Sequence, residues 1–389
     1  MTYRHFAHAR YPSEEEHQRF MKVGIIGLPQ TGKTSLYNAL TRSQVELNKF
    51  GATEVNVGVI AVPDPRFDHA VATCAPKKIT PAVIEFTEGG ARVEREERQG
   101  QGTRDKFGTD FFASVRNMDA LLMVVRAFDD SAIPAPPGGV NARRSAEQIL
   151  EELLLADLGV VESRLEKLEK ARLQKRQTPG EAVEHQVMIK IKNHLEALQP
   201  VRTLELTEDE KRSLRGYMFV SGKPLLLVVN IGEDQVGEEM PASLAPLAEY
   251  AKEQGLPVTS LCAKVEMEVA QMEPEEEREF LEAMGIGEAA RDKLIRAAYA
   301  ALGLTSFFTV GEDEVRAWTI TRGTNAVGAA EKIHSDLARG FIRAEVVAFE
   351  DFRSAGGCWD EAKAAGKMRL EGKEYPVKDG DIMHVRFKV

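Results

Sequence analysis

The segment GLPQTGKTS at residues 27–35 is the stretch of this chain best suited to chemistry. It fits the pattern G-x-x-x-x-G-K-[ST] of a phosphate-binding loop, in which backbone N–H groups and a helix N-terminus point at one place. Lys33 is placed to neutralise the β- and γ-phosphates of a nucleotide, and the Thr34 hydroxyl to bind Mg²⁺. The predicted nucleotide contacts in this loop are Gly27, Leu28, Pro29, Gln30, Thr31, Gly32, Lys33, Thr34 and Ser35.

The loop needs a strand before it and a helix after it, and the sequence supplies both. Residues 23–26 are a short apolar run, which predicts a buried parallel strand, and residues 35–40 have helical spacing. Further apolar runs lie at residues 58–62, 83–86, 120–125 and 225–229. Since helical patterns separate several of these runs, we expect a doubly wound α/β domain.

Additional contacts to the metal and the γ-phosphate are expected downstream. Thr53, in FGATEVNVG, has the place of a switch threonine that completes the Mg²⁺ shell. The strand at 83–86 is then expected to lead into Asp-x-x-Gly, but Glu88 stands at the aspartate position and Ala91 at the glycine position. The charged loop that follows is expected to be mobile. The predicted catalytic residues are Lys33 and Thr53, and the predicted metal ligands are Thr34, Thr53 and Glu88.

A base-reading element follows the apolar run at 225–229. GTPases bind guanine there through Asn-Lys-x-Asp, whose carboxylate accepts hydrogen bonds from N1–H and the N2 amino group. Here Asn230 is followed by Ile231 in the lysine position and Glu233 in the aspartate position. Because glutamate is one methylene longer and a mispaired buried carboxylate costs free energy, guanine recognition is weakened and adenine becomes a candidate. The alternative is that Asn230 only closes a turn.

The composition indicates a soluble globular protein. The chain has 389 residues, 43% of them hydrophobic and 29% charged, which is enough for two or three domains with cores. A net charge of −10 argues against a protein that coats nucleic acid, although a local basic patch remains compatible. No apolar run reaches the roughly 20 residues that span a bilayer, so no membrane contact is expected. Three cysteines far apart, Cys74, Cys262 and Cys358, fit a reducing cytoplasm.

Breaks in composition divide the chain. Residues 1–20 lack the apolar segment of a signal peptide and are interpreted as an N-terminal extension. Two long helical patterns meet at residues 177–180, which predicts an antiparallel helical hairpin of coiled-coil type, with a capping box at Ser145 and Gln148. We assign the nucleotide-binding domain to 21–140 and 200–304, the inserted hairpin to 141–199 and a small α+β module to 305–389.

The C-terminal module is expected to contain strands at 314–320 and 341–349 and a helix at 327–339. The final residues, EYPVKDGDIMHVRFKV, are expected to form two strands around the turn at 378–381.

The tip of the predicted hairpin, residues 167–180, is basic, with Glu169 as its one acidic residue. Its basic residues are Lys167, Lys170, Arg172, Lys175 and Arg176. They have the charge to contact RNA phosphates, although a solvated hairpin end is the more common origin of a charge run. We expect a monomer, because an intramolecular hairpin already uses the apolar positions that would otherwise pair two chains.

Together these motifs resemble the Obg-related YchF-type P-loop NTPases, also called Obg-like ATPases. The similarity extends from Met21 to Val389. KVGIIGLPQTGKTSLYNALT looks like the opening of that family, FGATEVNVGVIAVPDPR like its switch region and VVNIGE like its altered base element. EVRAWTI, AAEKIHSDLARGFIRAEVV, AGKMRLEGKEY and VKDGDIM are similar to its TGS domain.

The resemblance implies a P-loop NTPase domain with an inserted antiparallel helical hairpin and a C-terminal β-grasp (TGS) domain. It implies binding of ATP, with GTP as a further substrate, slow or partner-stimulated Mg²⁺-dependent hydrolysis, and contact with ribosomes through the hairpin tip and the TGS domain. Asn230 and Glu233 fall on the family's base-reading pair, and Cys262 and Ala263 on its Ser-Ala-like supporting loop.

The chain also departs from the family pattern. Gln30 replaces the usual Asn, and residues 88–92 (EGGAR) replace Asp-Ile-Ala-Gly-Leu in the second switch. The altered switch makes a non-hydrolysing, nucleotide-binding adaptor the alternative to a slow ATPase. A third interpretation, a true GTPase, requires Glu233 to pair with guanine.

Overall fold

The computed structural model describes residues 20–45, 55–89, 93–98, 102–136, 138–214, 216–238, 240–284 and 288–388. Thr53 and residues 90–92 of the second switch lie outside these ranges, as do residues 1–19 of the predicted extension. The chain divides into two compact units, one made of Met1–Met21, Val59–Glu85 and Glu288–Val389 and the other of Lys22–Gly58 and Phe86–Gly287.

The strands among the described residues form two six-stranded sheets and one hairpin. They are β1 (Met21–Ile26), β2 (Val55–Ala61), β3 (Lys78–Thr80), β4 (Val83–Gly89), β5 (Val93–Arg98), β6 (Gly102–Phe107), β7 (Ala120–Arg126), β8 (Leu225–Asn230), β9 (Val258–Leu261), β10 (Leu304–Thr309), β11 (Glu314–Thr321), β12 (Phe341–Val347), β13 (Arg369–Glu371) and β14 (Ile382–Phe387). The first sheet has the order β2-β4-β1-β7-β8-β9 and the second β13-β12-β14-β10-β11-β3, while β5 and β6 pair with each other.

Helices connect these strands. They are α1 (Lys33–Thr41), α2 (Pro65–Cys74), α3 (Thr109–Arg116), α4 (Ala142–Leu173), α5 (Pro179–Glu196), α6 (Glu208–Leu214), α7 (Ala245–Glu253), α8 (Ala263–Val269), α9 (Pro274–Ala283), α10 (Ala290–Ala301), α11 (Ala326–Ile333), α12 (Ser335–Arg339), α13 (Phe349–Ser354) and α14 (Trp359–Ala364). Short 3₁₀ turns lie at Val201–Thr203, Glu233–Gln235 and Ala242–Leu244. Within the described part of the chain, each helix is too short or too polar to cross a membrane.

The centre of the first sheet positions the phosphate loop. Strand β1 pairs parallel with β7, β7 with β8 and β8 with β9. Every residue of β7 and β8 is buried, which explains why both strands are apolar up to their last residues, Arg126 and Asn230. The carboxyl ends of these strands therefore meet at one edge, where the loop after β1 begins. This arrangement confirms the predicted α/β class.

The helical hairpin consists of α4 and α5. Their apolar side chains, which include Val161, Leu168 and Ile191, form a shared core. The capping box predicted at Ser145 is wrong, because α4 begins at Ala142 and its cap is Asn141, which accepts a hydrogen bond from Arg144 N at 2.9 Å. Asparagine is at least as good an N-cap as serine. Ser145 lies inside the helix instead.

Part of the charged stretch after Glu88, which the sequence predicted to be a loop, forms two strands. Strands β5 and β6 form an antiparallel hairpin whose register runs from Val93↔Phe107 to Arg98↔Gly102. The sequence conceals it because the apolar/polar alternation that indicates strands is missing from a segment made mostly of charged residues.

The predicted strand at residues 374–377 does not form. Only β14 follows the turn at 378–381, and an isolated bridge joins Asn325 to Pro376. Proline has no N–H for a ladder hydrogen bond, which limits pairing here.

Residues 59–85 group with the C-terminal residues, although the sequence pattern assigns them to the nucleotide-binding domain. Strand β3 pairs parallel with β11, from Lys78↔Glu314 to Thr80↔Arg316. The Arg66 guanidinium binds both Asp64, at 2.8 Å, and Asp379, at 3.0 Å. The pairing of β3 with β11 and the Arg66–Asp379 ion pair join parts of the chain that are more than 200 residues apart, which local patterns do not reveal.

We expect Asp157→Ala to lower the free energy of unfolding by about 2 kcal/mol, since charged hydrogen bonds are worth roughly 1.5–3 kcal/mol. The fully buried Asp157 carboxylate on α4 accepts hydrogen bonds from Val220 N at 3.0 Å and Ser221 N at 2.7 Å. Urea unfolding followed by far-UV circular dichroism measures the change. The exposed Asp209→Ala on α6 is the control, and equal midpoints for the two variants would contradict this role.

Candidate functional site

Two glycines give the phosphate loop its shape. A Cβ on Gly27 would lie 2.5 Å from Val124 O of the neighbouring strand β7, so no larger residue fits. Gly32 has φ +90° at the N-cap of α1, and a Cβ there would collide with the side-chain amide of Asn230. Gln30 also has a positive φ, 62°, a conformation that asparagine adopts more readily than glutamine. The loop backbone therefore turns tightly onto the first turn of α1.

Lys33 turns back into this loop. Its Nζ donates a hydrogen bond to Leu28 O at 2.6 Å, and the Thr31 hydroxyl donates to the same oxygen at 3.1 Å. Burial lowers the pKa of Lys33 to about 8, while the negative charge of Glu88 acts in the opposite direction. A desolvated ammonium at a helix N-terminus is well placed to bind a phosphate anion.

Glu88 connects three parts of the site. Its carboxylate is buried, with 7% of the residue exposed, and accepts a hydrogen bond from the Thr34 hydroxyl at 3.0 Å and another from Asn56 Nδ2 at 3.0 Å. Asn56 lies on β2, and the alternating pattern of that strand did not predict its contact with Glu88. The longer glutamate therefore reaches directly to the threonine of the phosphate loop, with Asn56 fixing the second carboxylate oxygen.

The donor set of Thr34 and Glu88 fits Mg²⁺. Two adjacent ligands at the 2.0–2.1 Å bond length of an octahedral site lie about 2.9 Å apart. The Thr34 and Glu88 oxygens are 3.0 Å apart. Among the described residues, no group of three or more His, Cys, Asp or Glu side chains is arranged to hold a metal. A bound nucleotide would supply further oxygens to a magnesium ion here, as is usual for this ion.

Asn230 joins the phosphate loop to the segment predicted to bind the base. Its Nδ2 donates to Thr31 O at 3.0 Å, and its Oδ1 accepts from Ala263 N at 2.9 Å. Only 4% of Asn230 is exposed. Asn230 thus does more than close a turn, because it holds the phosphate loop and the start of α8 at the end of β8.

The other members of the predicted base element differ in their surroundings. Ile231 is buried in the core of its unit, so the lysine position of the motif contributes packing instead of a cation. Cys262 is the N-cap residue of α8, and burial raises the pKa of its thiol, which keeps it protonated and unreactive.

Glu233 is exposed and forms an ion pair with Lys264 at 2.5 Å. Lys264 was missed by sequence reasoning, although it directly follows Ala263.

Known proteins are similar to this chain over most of its length. A family model for the C-terminal part of YchF GTPases, described as a protein of unknown function, matches residues 304–388. The ribosome-binding ATPase YchF of Bacillus subtilis is 41% identical over 372 residues, covering 95% of this chain and 100% of that protein. The ribosome-binding ATPase YchF of Pasteurella multocida is 40% identical over 373 residues, covering 95% and 99%.

A solved structure is similar along nearly the whole chain. The structure of the Schizosaccharomyces pombe YchF GTPase matches with a TM-score of 0.79 and 30% sequence identity. The match covers 94% of this chain and 97% of that one.

Asn230→Ala is expected to destabilise the fold by about 1–3 kcal/mol, because it leaves the Thr31 carbonyl and the Ala263 amide buried without their partner. Nucleotide affinity is expected to fall as well, since two loops lose their common anchor. Urea unfolding and titration with a fluorescent nucleotide measure the two effects.

The matched control is Asn117→Ala, which removes an exposed amide at the end of α3 in the same unit. Asn230→Asp keeps the acceptor but not the donor and is not expected to restore either property. Unfolding and binding equal to those of the control would exclude an anchoring role for Asn230.

Proposed function

This chain belongs to the YchF family, and we propose that it binds ATP, hydrolyses it slowly with Mg²⁺ and acts at the ribosome. GTP is proposed as a second, weaker substrate. The relatives named above are ribosome-binding ATPases or, in the solved structure, a GTPase. We further propose that the protein works in the cytoplasm as a monomer.

The observation that carries this proposal is the convergence of Lys33, Thr34 and Glu88 at the phosphate loop. The proposed reaction is phosphoryl transfer to water. Lys33 and the loop N–H groups bind the β- and γ-phosphates and stabilise the charge of the transition state. Thr34 and Glu88 would hold Mg²⁺, as would Thr53, which lies outside the described residues. That ion neutralises phosphate charge when it is bound.

The proposed domains follow the ranges assigned from the sequence: nucleotide binding by 21–140 and 200–304, a hairpin at 141–199 and a TGS domain at 305–389. The whole loop from Gly27 to Ser35 is proposed to surround the phosphates. Asn230, Ile231, Glu233, Cys262 and Ala263 are proposed to surround the base.

Contact with the ribosome is proposed through the hairpin tip and the TGS domain. At the tip, Lys170 pairs with Glu166 and Arg172 with Glu169, each at 2.6 Å. Lys167, Lys175 and Arg176 form no ion pair within the described part of the chain. These three residues therefore carry the basic charge that is available for RNA phosphates.

Calorimetric titration with ATP and GTP, each with and without Mg²⁺, tests the proposal when phosphate release is followed in the same samples. We expect tighter binding of ATP, dependence of the affinity on Mg²⁺ and slow release of phosphate. Lys33→Met should abolish binding while the protein stays folded. Binding of ATP without phosphate release, even when ribosomes are added, would favour a non-hydrolysing adaptor. Binding of neither nucleotide would refute the proposal.

The affinity for ATP is expected to fall as the pH rises through about 8. The pKa of Lys33 is lowered to about 8, so the ammonium loses its proton above that pH in the nucleotide-free protein. A bound phosphate favours the charged form, and binding at about pH 9 must therefore take up a proton. Calorimetry of Mg²⁺–ATP binding in two buffers with different ionisation enthalpies measures this uptake.

Lys33→Arg is the control for this pH dependence, because its guanidinium stays charged at about pH 9. The variant should bind without the additional proton. Equal proton uptake by Lys33→Arg would show that another group is responsible.

A further inference from the structure

The Glu233 carboxylate is proposed to bind the base, but one of its oxygens is already engaged by a lysine. Glu233 Oε1 lies 2.5 Å from Lys264 Nζ. The pair joins the segment after β8 to the first turn of α8, two parts that the Asn230 side chain already holds together through Ala263 N. Lys264 is therefore fixed beside the base-reading carboxylate by the fold of this site.

The ion pair also replaces a cation that the motif has lost. The lysine of Asn-Lys-x-Asp follows the asparagine directly, but Ile231 stands there and is 3% exposed within the core. The positive charge beside the base segment comes from α8 instead. The hydrogen bond and charge of Glu233 are the main causes that raise the pKa of Lys264, with smaller contributions from Glu268 and Asp130.

Guanine and adenine make different demands on this carboxylate. Guanine presents two adjacent donors, N1–H and the N2 amino group, and both oxygens of one carboxylate must accept them. Adenine presents one donor, its N6 amino group. A carboxylate with one oxygen engaged by an ammonium has one oxygen without a partner, which matches the single donor of adenine. The second donor of guanine must share or displace the contact between that carboxylate and the ammonium. Displacing an exposed ion pair costs up to about fivefold in affinity.

We propose that Lys264 is a specificity-determining positioning residue that holds Glu233 in an ion pair and so favours adenine over guanine. This inference rests on the proposed nucleotide-binding function and assigns the base preference of that site to a residue outside the Asn-x-x-Glu element. Lys264 acts through Glu233 and has no part in phosphoryl transfer.

The substitutions needed for a test are compatible with folding. The Glu233 and Lys264 side chains are 57% and 60% exposed, and exposed ion pairs contribute little to stability. A suitable control exists on α6 in the same unit, where Lys211 pairs with Glu208 at 2.8 Å and is 57% exposed. Lys211→Met removes an ion pair of similar exposure away from the base segment.

The test is the ratio of the dissociation constants for ATP and GTP, measured with Mg²⁺ in the full-length protein. Lys264→Met should shift this ratio about fivefold towards GTP, which is the most that an exposed ion pair contributes. Lys264→Arg should keep the ratio of the unsubstituted protein, because arginine can also hold Glu233. Lys211→Met should leave the ratio unchanged.

A double-substitution cycle shows whether the effect passes through Glu233. Once Glu233→Gln has removed the ion pair, adding Lys264→Met should not change the ratio further. A ratio within about twofold of the original for Lys264→Met, or the same shift in the Glu233→Gln background, would overturn the inference. In both cases the unsubstituted protein still binds nucleotide, so the proposed function survives. If it binds neither nucleotide, the proposed function fails together with the inference.

Discussion

The side-chain amide of Asn230 is the contact on which the rest of the site depends. One amide binds the carbonyl of Thr31 in the phosphate loop and the N–H of Ala263 at the start of α8. Both contacts require the parallel alignment of β1, β7 and β8, which brings the ends of these strands to one edge. They also require glycine at position 32, because a side chain there would occupy the place of the amide. The local phosphate-loop motif and the long-range pairing of the sheet therefore both fix the position of the Asn230 amide.

This dependence explains which features the sequence could predict. The phosphate loop, its flanking strand and helix and the buried strands β7 and β8 follow from short-range patterns, and so does Asn230 at a strand end. The partners Asn56 and Lys264 do not, because each meets its carboxylate 31 or 32 residues away in the chain. For the same reason, the sequence did not predict that residues 59–85 group with the C-terminal sheet. The hairpin of β5 and β6 was not predicted, because its charged sequence has no apolar periodicity.

The substitution of glutamate for aspartate at position 88 is accommodated by its neighbours. An aspartate would end about one methylene short of the Thr34 hydroxyl and leave room for water. Glu88 instead spans the gap, and Asn56 satisfies its other oxygen, so that the buried carboxylate has a donor for each oxygen. Buried carboxylates are tolerated when they are paired in this way. The departure from the family pattern at position 88 thus changes how this side chain packs beside Thr34.

The charges around the phosphate loop explain why such a site depends on its ligand. Lys33 is desolvated enough for its pKa to fall to about 8, yet Glu88 lies close enough to oppose that fall. The hydrogen bonds from Thr34 and Asn56 satisfy the oxygens of Glu88 but do not neutralise its negative charge. A triphosphate bound with a metal ion would supply an anion for Lys33 and a cation for Glu88 at the same time. Binding one without the other would leave a buried charge unpaired, so the proposed nucleotide and metal ion would each depend on the other at this site.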